Sequence, residues 1–535
     1  MKSMTLGRSA LSLGTFLAAM ALMWVLLVPP QAGPDEPDHL VRAAGLARGE
    51  ITGTDPPHAW AITGYELPAW VDKPRPNCYK FVPAEPASCS TSRPLPDGEA
   101  ILGTRAGGYQ IWGHLPPAAG TFAPKEVSIT VSRILDAVIP VGAVALAAAV
   151  AARRGWLATS ATLFAVTPMA WFIFAVVNPS GLVIAGGLLM WTALVSAGRA
   201  PPRLLAWMLA AGWAMMTLPR RDGLVWAMFG ISLGLLVLNR GFLDTWRSLR
   251  LGPQILLAGS TLATLAWAAT SDSNDSRALL LAPAIPVCAA LGRRAWYSPW
   301  MDSTTRKIAF SGATVFVGAL GTLFVMSLRD SGFDRGALRN AILRTGEDLL
   351  EAVGHLGWLD TPLPSTLVYA WMITLGVLAS AAFVQDATRL LVGSAAVLLV
   401  AIITSWTLTM LQDQPLSTYW QGRYYLPLLV GIPVLLGTAR LDDHAARRVG
   451  RFVLAVSLVT TNVALAAAVR RWADGIAGTL LPWEWDTYDT ALPPILFLAV
   501  HAIASAGVWF WALRAVDGQI KESRHPMDPA ASAMV

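Results

Sequence analysis

Long apolar runs broken by short polar punctuation recur along almost the whole of this 535-residue chain. A helix rises about 1.5 Å per residue, so runs near 20 residues are long enough to cross a hydrocarbon core of about 30 Å. Roughly fourteen spans are predicted on that criterion. They centre on 11–29, 128–151, 157–177, 180–198, 203–219, 222–239, 253–269, 277–292, 308–327, 366–384, 388–411, 423–439, 449–469 and 491–514. The windows at 203–219 and 277–292 are short and suit tilted or re-entrant segments. The expected fold is an all-α polytopic bundle with a large loop between its first two spans.

Composition agrees with the pattern. Hydrophobic residues make up 54% of the chain and charged residues only 14%, with a mean hydropathy of +0.51. The formal net charge of +6 gathers in short loops, so it reads as a topology signal and not as a nucleic-acid surface. With Lys2 and Arg8 in the cytoplasm, the inward loops carry Arg153-Arg154, Arg199, Arg203, Arg240, Arg247, Arg250, Arg293-Arg294, Arg306-Lys307, Arg440, Arg447-Arg448, Arg451, Arg514, Lys521 and Arg524. Both ends then face inward, in a cytoplasmic membrane. The first span also resembles a secretory h-region with a cut near Ala32, but the many later spans favour its retention as a helix.

The expected organisation is a first helix at 1–29, an exoplasmic loop domain at 30–127, a bundle at 128–327, an exoplasmic amphipathic segment at 328–365, a second bundle at 366–514 and a cytoplasmic tail at 515–535. In the amphipathic segment, the helical spacing of Leu338, Ile342, Leu349, Leu350 and Val353 suits a helix along the membrane surface. Cys78 and Cys89 both fall in the first loop, where an oxidising compartment lets them close a disulfide; Cys288 lies inside a span.

Candidate chemistry concentrates on the outward side. Pro34-Asp35-Glu36-Pro37-Asp38-His39 follows the first span, and Asp35 suits the N-cap of a helix running to about Arg48, on which Glu36, His39 and Arg42 share a face. An acid here serves equally as a cap or as a general base. Arg220-Arg221 sits in a short outward loop where positive charge is disfavoured, and Gln421-Gly422-Arg423-Tyr424-Tyr425 opens a late span. An arginine at such depth needs a partner, and a ligand phosphate suits it as well as snorkelling does. Arg133 and Arg277 are weaker candidates. Tyr109-Gln110-Ile111-Trp112-Gly113-His114-Leu115-Pro116-Pro117 suits an acceptor groove or loop packing, and Trp483-Glu484-Trp485-Asp486 suits an interfacial aromatic belt.

Three of these motifs carry a family resemblance. Pro-Asp-Glu-x-x-His from Pro34, Asn-Pro-x-Gly-Leu from Asn178 to Leu182 and Gln-Gly-Arg-Tyr from Gln421 resemble the DUF2142 family of membrane proteins, over about residues 12–440. That family is similar in layout to the GT-C superfamily of membrane glycosyltransferases. The resemblance implies an acid in the first exoplasmic loop acting on a sugar carried by a polyprenyl phosphate. Carried over by position, Asp35 and Glu36 are the catalytic acids, and His39, Gln421, Arg423 and Tyr424 bind substrate, with Arg220 and Arg221 as further phosphate ligands.

No nucleotide-binding glycine loop is visible, which agrees with a lipid-linked donor. The expected partners are that donor, a cell-envelope glycan or glycolipid acceptor, and membrane lipids, with no nucleic acid. No cofactor is certain, although the acidic cluster could hold a divalent cation. The competing expectations are a transporter or flippase of lipid-linked sugars, and a noncatalytic scaffold for envelope assembly.

Overall fold

The computed structural model describes residues 5–72, 77–91, 94–220, 222–238, 240–270, 282–296, 335–385, 387–411, 420–485 and 492–524, with 280 and 490. The chain is a helical bundle with a small, partly β-stranded domain set between the first two membrane helices. Among the described residues, seven helices are long and apolar enough to cross a membrane. They include α1 (Leu6–Leu27) and, later, Ser365–Val384 and Pro494–Arg524.

Other predicted windows take shorter or broken forms, each with a local cause. The window at 157–177 splits into Trp156–Phe164 and Pro168–Phe174, bent by 62°. Pro168 has no N–H to continue the first helix, and the hydroxyl of Thr167 accepts from Ala170 N instead, at 3.2 Å, to start a new one. Pro433, with no N–H for the Leu429 carbonyl, likewise breaks 423–439 at Val430 into Leu426–Leu429 and Gly431–Leu436. Ser180–Val195 is 16 residues long, about 24 Å of rise, and every residue in it is buried. An apolar helix with no exposed face belongs to the protein core, not to the lipid boundary. The window at 308–327 lies outside the described residues.

The loop domain is ordered around α2 (Glu36–Ala47) and an antiparallel hairpin of β1 (Thr63–Pro68) and β2 (Glu99–Thr104), paired from Thr63↔Thr104 to Pro68↔Glu99. Val41 and Ala44 of α2 pack on Tyr65 and Leu67 of β1, with Val71 and Leu102 completing a small core of their own. Arg42 donates to the Tyr65 hydroxyl, fixing helix to strand. Helix α3 (Ser128–Ala151) then re-enters the bundle beside α1.

Cys78 and Cys89 are joined as a disulfide. The loop that they close is clamped by α5 (Asp443–Asp474), which follows α4 (Arg335–Gly354) along the chain. Arg471 of α5, 2% exposed, donates to the carbonyls of Tyr79, Val82 and Glu85 and pairs with Asp360 at 3.2 Å. Asp360 also accepts from the backbone N–H of Phe81 and Trp358. The expectation for α4 is a surface helix. A helix forms there, but Asp348, Glu351 and Ala352 are buried, so one of its faces lies against protein.

Candidate functional site

Asp35 holds the N-cap position of α2 as its sequence suggests, yet its side chain caps nothing. Its backbone is left-handed, at φ 62°, a conformation that Asp tolerates better than most residues. The carboxylate instead accepts from Arg423 Nη2 at 2.5 Å. The guanidinium side is 1% exposed and the carboxylate side 40%, so the pair has a sealed end and an open end.

Glu36, one residue on, is entirely buried and differently employed. Arg133 of α3 grips it with two parallel bonds, Nε to Oε1 at 2.7 Å and Nη2 to Oε2 at 2.6 Å. The amides of Val177 and Gly33 donate to the remaining lone pairs. Arg133 also donates to the carbonyls of Val28 and Pro29, at 2.6 and 2.7 Å, closing the end of α1. With four donors on two oxygens, Glu36 has no capacity left for an acceptor proton. Of the two acids carried over together, only Asp35 reaches an open surface.

The Asn-Pro-x-Gly-Leu motif braces this turn. Asn178 Nδ2 donates to Pro34 O at 3.0 Å, and its backbone N–H donates to Asp136. Ser180 receives Arg220 Nη1 at 2.9 Å, and Arg220 Nε donates to Asp222 at 2.9 Å. The Tyr424 ring meets both guanidinium groups, Arg220 and Arg423, at 4.7 Å from its centroid. Arg423 also donates to the Tyr424 hydroxyl and to Gln421 Oε1. Thus Asp35, Arg220, Gln421, Arg423 and Tyr424 form one cluster. Arg221 lies outside the described residues, as does Arg277.

The glycine of Gln-Gly-Arg-Tyr has a packing reason. A Cβ on Gly422 would fall inside the backbone of α4 at Asp348 and Ala352. Gly422 N donates to Glu351 at 3.0 Å, so α4 sets the height at which Arg423 meets Asp35.

His39 is buried beneath the cluster, with His39 Nδ1 3.0 Å from His114 Nε2 and the Tyr109 ring edge-on at 5.3 Å. His114 Nδ1 faces Gln110 O at 3.3 Å, a carbonyl that only accepts. His114 therefore donates there, its Nε2 accepts from His39, and His39 Nε2 is left as an acceptor. Burial first, then His114 and the two arginines, hold His39 neutral, well below the ordinary histidine range. Burial pushes His114 down to about 3 and Tyr109 up to about 12. Tyr109 and His114 thus pack under the site instead of forming an acceptor groove. Trp483 is exposed, as a belt residue would be, but Trp485 is buried.

On the open side of Asp35 lies a cavity of about 190 Å³. Asp38, Asp72, Lys80 and Arg105 line it together with the indoles of Trp60 and Trp358. Asp38 accepts from Arg105 N at 2.7 Å, while burial raises its carboxyl above the usual range. Sequence reasoning did not single out Trp60, Asp72, Lys80 or Arg105. Lys80 alone carried a signal, lying between the two cysteines. Among the described residues, no three acidic, histidine or cysteine side chains converge as a metal site.

No curated protein matches the chain. The family model described as predicted membrane protein, DUF2142, matches residues 19–323 and 348–432, which hold the C-terminal end of α1, the loop domain, Arg133, Asn178, Arg220 and the Gln-Gly-Arg-Tyr turn. The chain belongs to the DUF2142 family of multi-pass membrane proteins.

Proposed function

We propose that the protein is a membrane glycosyltransferase that moves a sugar from a polyprenyl-phosphate donor to a cell-envelope glycan or glycolipid, on the exoplasmic side of the cytoplasmic membrane. The observation that carries this reading is the contact between the half-open Asp35 carboxylate and the buried Arg423, beside Arg220 and Tyr424. An anionic donor would draw Arg423 toward its phosphate, since a charge-assisted bond to phosphate competes with the one to Asp35. Asp35 is then released as a base at the moment a substrate arrives.

The acceptor hydroxyl gives its proton to Asp35 while its oxygen bonds to the anomeric carbon. The bond from that carbon to the phosphate oxygen breaks, and the electron pair leaves with polyprenyl phosphate, stabilised by Arg423 and Arg220. Attack opposite the leaving group inverts the anomeric centre. Gln421 and Tyr424 hold Arg423 in place, and neutral His39 supplies an acceptor nitrogen under the cluster.

The test is incubation of the purified protein in nanodiscs with polyprenyl-phosphate sugars and a membrane glycan extract, following polyprenyl phosphate release. Release that requires Asp35 supports the reading. Absence of release with every donor, from correctly folded protein, overturns it.

A further inference from the structure

We propose that the cavity beside Asp35 is a carbohydrate subsite that binds one uncharged sugar ring, the end of the acceptor. The assignment to the acceptor rests on the transferase reading, whereas the carbohydrate assignment rests on the cavity itself. Its volume, about 190 Å³, lies below the roughly 300–1,000 Å³ of sites for drug-sized ligands, so it takes a single ring and not an oligosaccharide.

The walls suit a sugar better than other ligands. Asp35, Asp38 and Asp72 offer carboxylate oxygens to hydroxyl protons, while Lys80 and Arg105 offer donors to hydroxyl oxygens. Trp60 and Trp358 add apolar surface to the walls for the C–H side of a ring. A phosphate or an acidic sugar would meet three carboxylates at close range. A lipid tail would have to cover the charged groups of Asp35, Asp38, Asp72, Lys80 and Arg105 with hydrocarbon. Arg423 and Arg220 do not line the cavity, whereas Asp35, which pairs with Arg423, does.

The walls are also held from outside. Lys80 lies over the Trp358 ring at 3.3 Å, and the loop bearing it is fixed by the Cys78–Cys89 bridge and by Arg471. Trp358 Nε1 donates to Gln31 O at 3.3 Å. Arg105 leans toward the Trp60 ring, 5.9 Å from its centroid. Such support reduces the ordering cost of binding, as a small-ligand site requires.

The experiment is saturation-transfer NMR on the full chain in nanodiscs, with methyl mannoside, methyl glucoside, methyl galactoside and methyl arabinofuranoside as uncharged probes and methyl glucuronide as the acidic control. At least one uncharged glycoside is expected to give a signal that falls fivefold or more in Trp60→Ala and in Asp72→Asn and is unchanged in Trp483→Ala. Trp60 is 40% exposed, so its variant folds even where that of buried Asp72 does not. No signal from any uncharged probe, a signal indifferent to Trp60→Ala, or a stronger signal from the glucuronide overturns the proposal. Glycoside binding that depends on Trp60 in a protein without transfer would keep this subsite and sink the transferase reading. Transfer without such binding would do the reverse.

Discussion

Arg423 reaches across 388 residues of sequence to place Nη2 2.5 Å from the carboxylate of Asp35. The arginine is sealed and the acid is not, so the two residues respond differently to substitution. Asp35→Asn should lower transfer by about 10²–10⁴-fold, the usual reach of a general base, and should also lower the melting temperature, because the sealed Arg423 guanidinium loses its counter-charge. Arg423→Gln should lower transfer as well and should cost stability through the buried slot it empties, since the half-exposed Asp35 left behind stays solvated. Polyprenyl phosphate release and a melting curve in the same nanodiscs check the pair; full transfer in Asp35→Asn would contradict the assignment.

Glu36 and Arg133 form a structural pair. Breaking a buried bidentate pair from one side typically costs about 3–5 kcal/mol, whereas removing both charges together costs less. Arg133→Met and Glu36→Met should each lower the melting temperature sharply, and the double variant should regain part of the loss. A double-mutant cycle with near-zero coupling would refute this.

Gly422→Ala is expected to be far more damaging than a methyl group suggests. The new Cβ meets backbone of α4, which cannot rotate away as a side chain would. Overpacking of this kind costs about 1–3 kcal/mol. The substitution should also push Arg423 off Asp35, so transfer should fall by more than the melting temperature implies. Normal turnover in a folded Gly422→Ala protein would count against α4 as the spacer.

Two buried groups give pH dependences of opposite sign. The His114 pKa is depressed from 6.5 to about 3 by burial, so its contribution to stability is present above about 6.5 and is lost as pH falls toward 3. Burial raises Asp348 from 3.8 to about 7, so its contribution is present below about 4 and is lost as pH rises to 7. Relative to the parent protein, His114→Gln should be most favoured at low pH, and Asp348→Asn most favoured near neutrality. Melting temperatures from pH 4 to 8 provide the comparison, and parallel curves for parent and variants would refute both signs.

The disulfide should matter to the cavity as much as to stability. Cys78 and Cys89 are separated by 11 positions, and closing so short a loop is worth about 3 kcal/mol in the chain-entropy model. A Cys78→Ser, Cys89→Ser protein should melt earlier and bind the glycoside probes more weakly, since Lys80 rides on that loop. Unaltered glycoside binding would mean that the clamp from Arg471 suffices.

The helical membrane class was legible because apolar runs of spanning length leave few alternatives. The motifs were legible because a polar residue in an apolar chain is conspicuous. The division of labour between Asp35 and Glu36 was not. Neighbours at a helix start point in different directions, and which one meets Arg133 and which meets Arg423 is decided by elements 97 and 388 positions away. Span length could not show the bends and breaks that proline imposes, at Pro168 and Pro433. Trp60, Asp72 and Arg105 carried no local pattern, since they meet only when the hairpin folds over α2.

The left-handed turn at Asp35 narrows what that site can ever hold. With φ at 62°, a longer or branched side chain would strain the main chain, and glutamate is no substitute although it bears the same charge. Asparagine and glycine keep the turn while deleting the acid. Relatives that have lost the chemistry but kept the architecture should therefore carry one of those two residues here, which offers a way to sort working members of the family from silent ones.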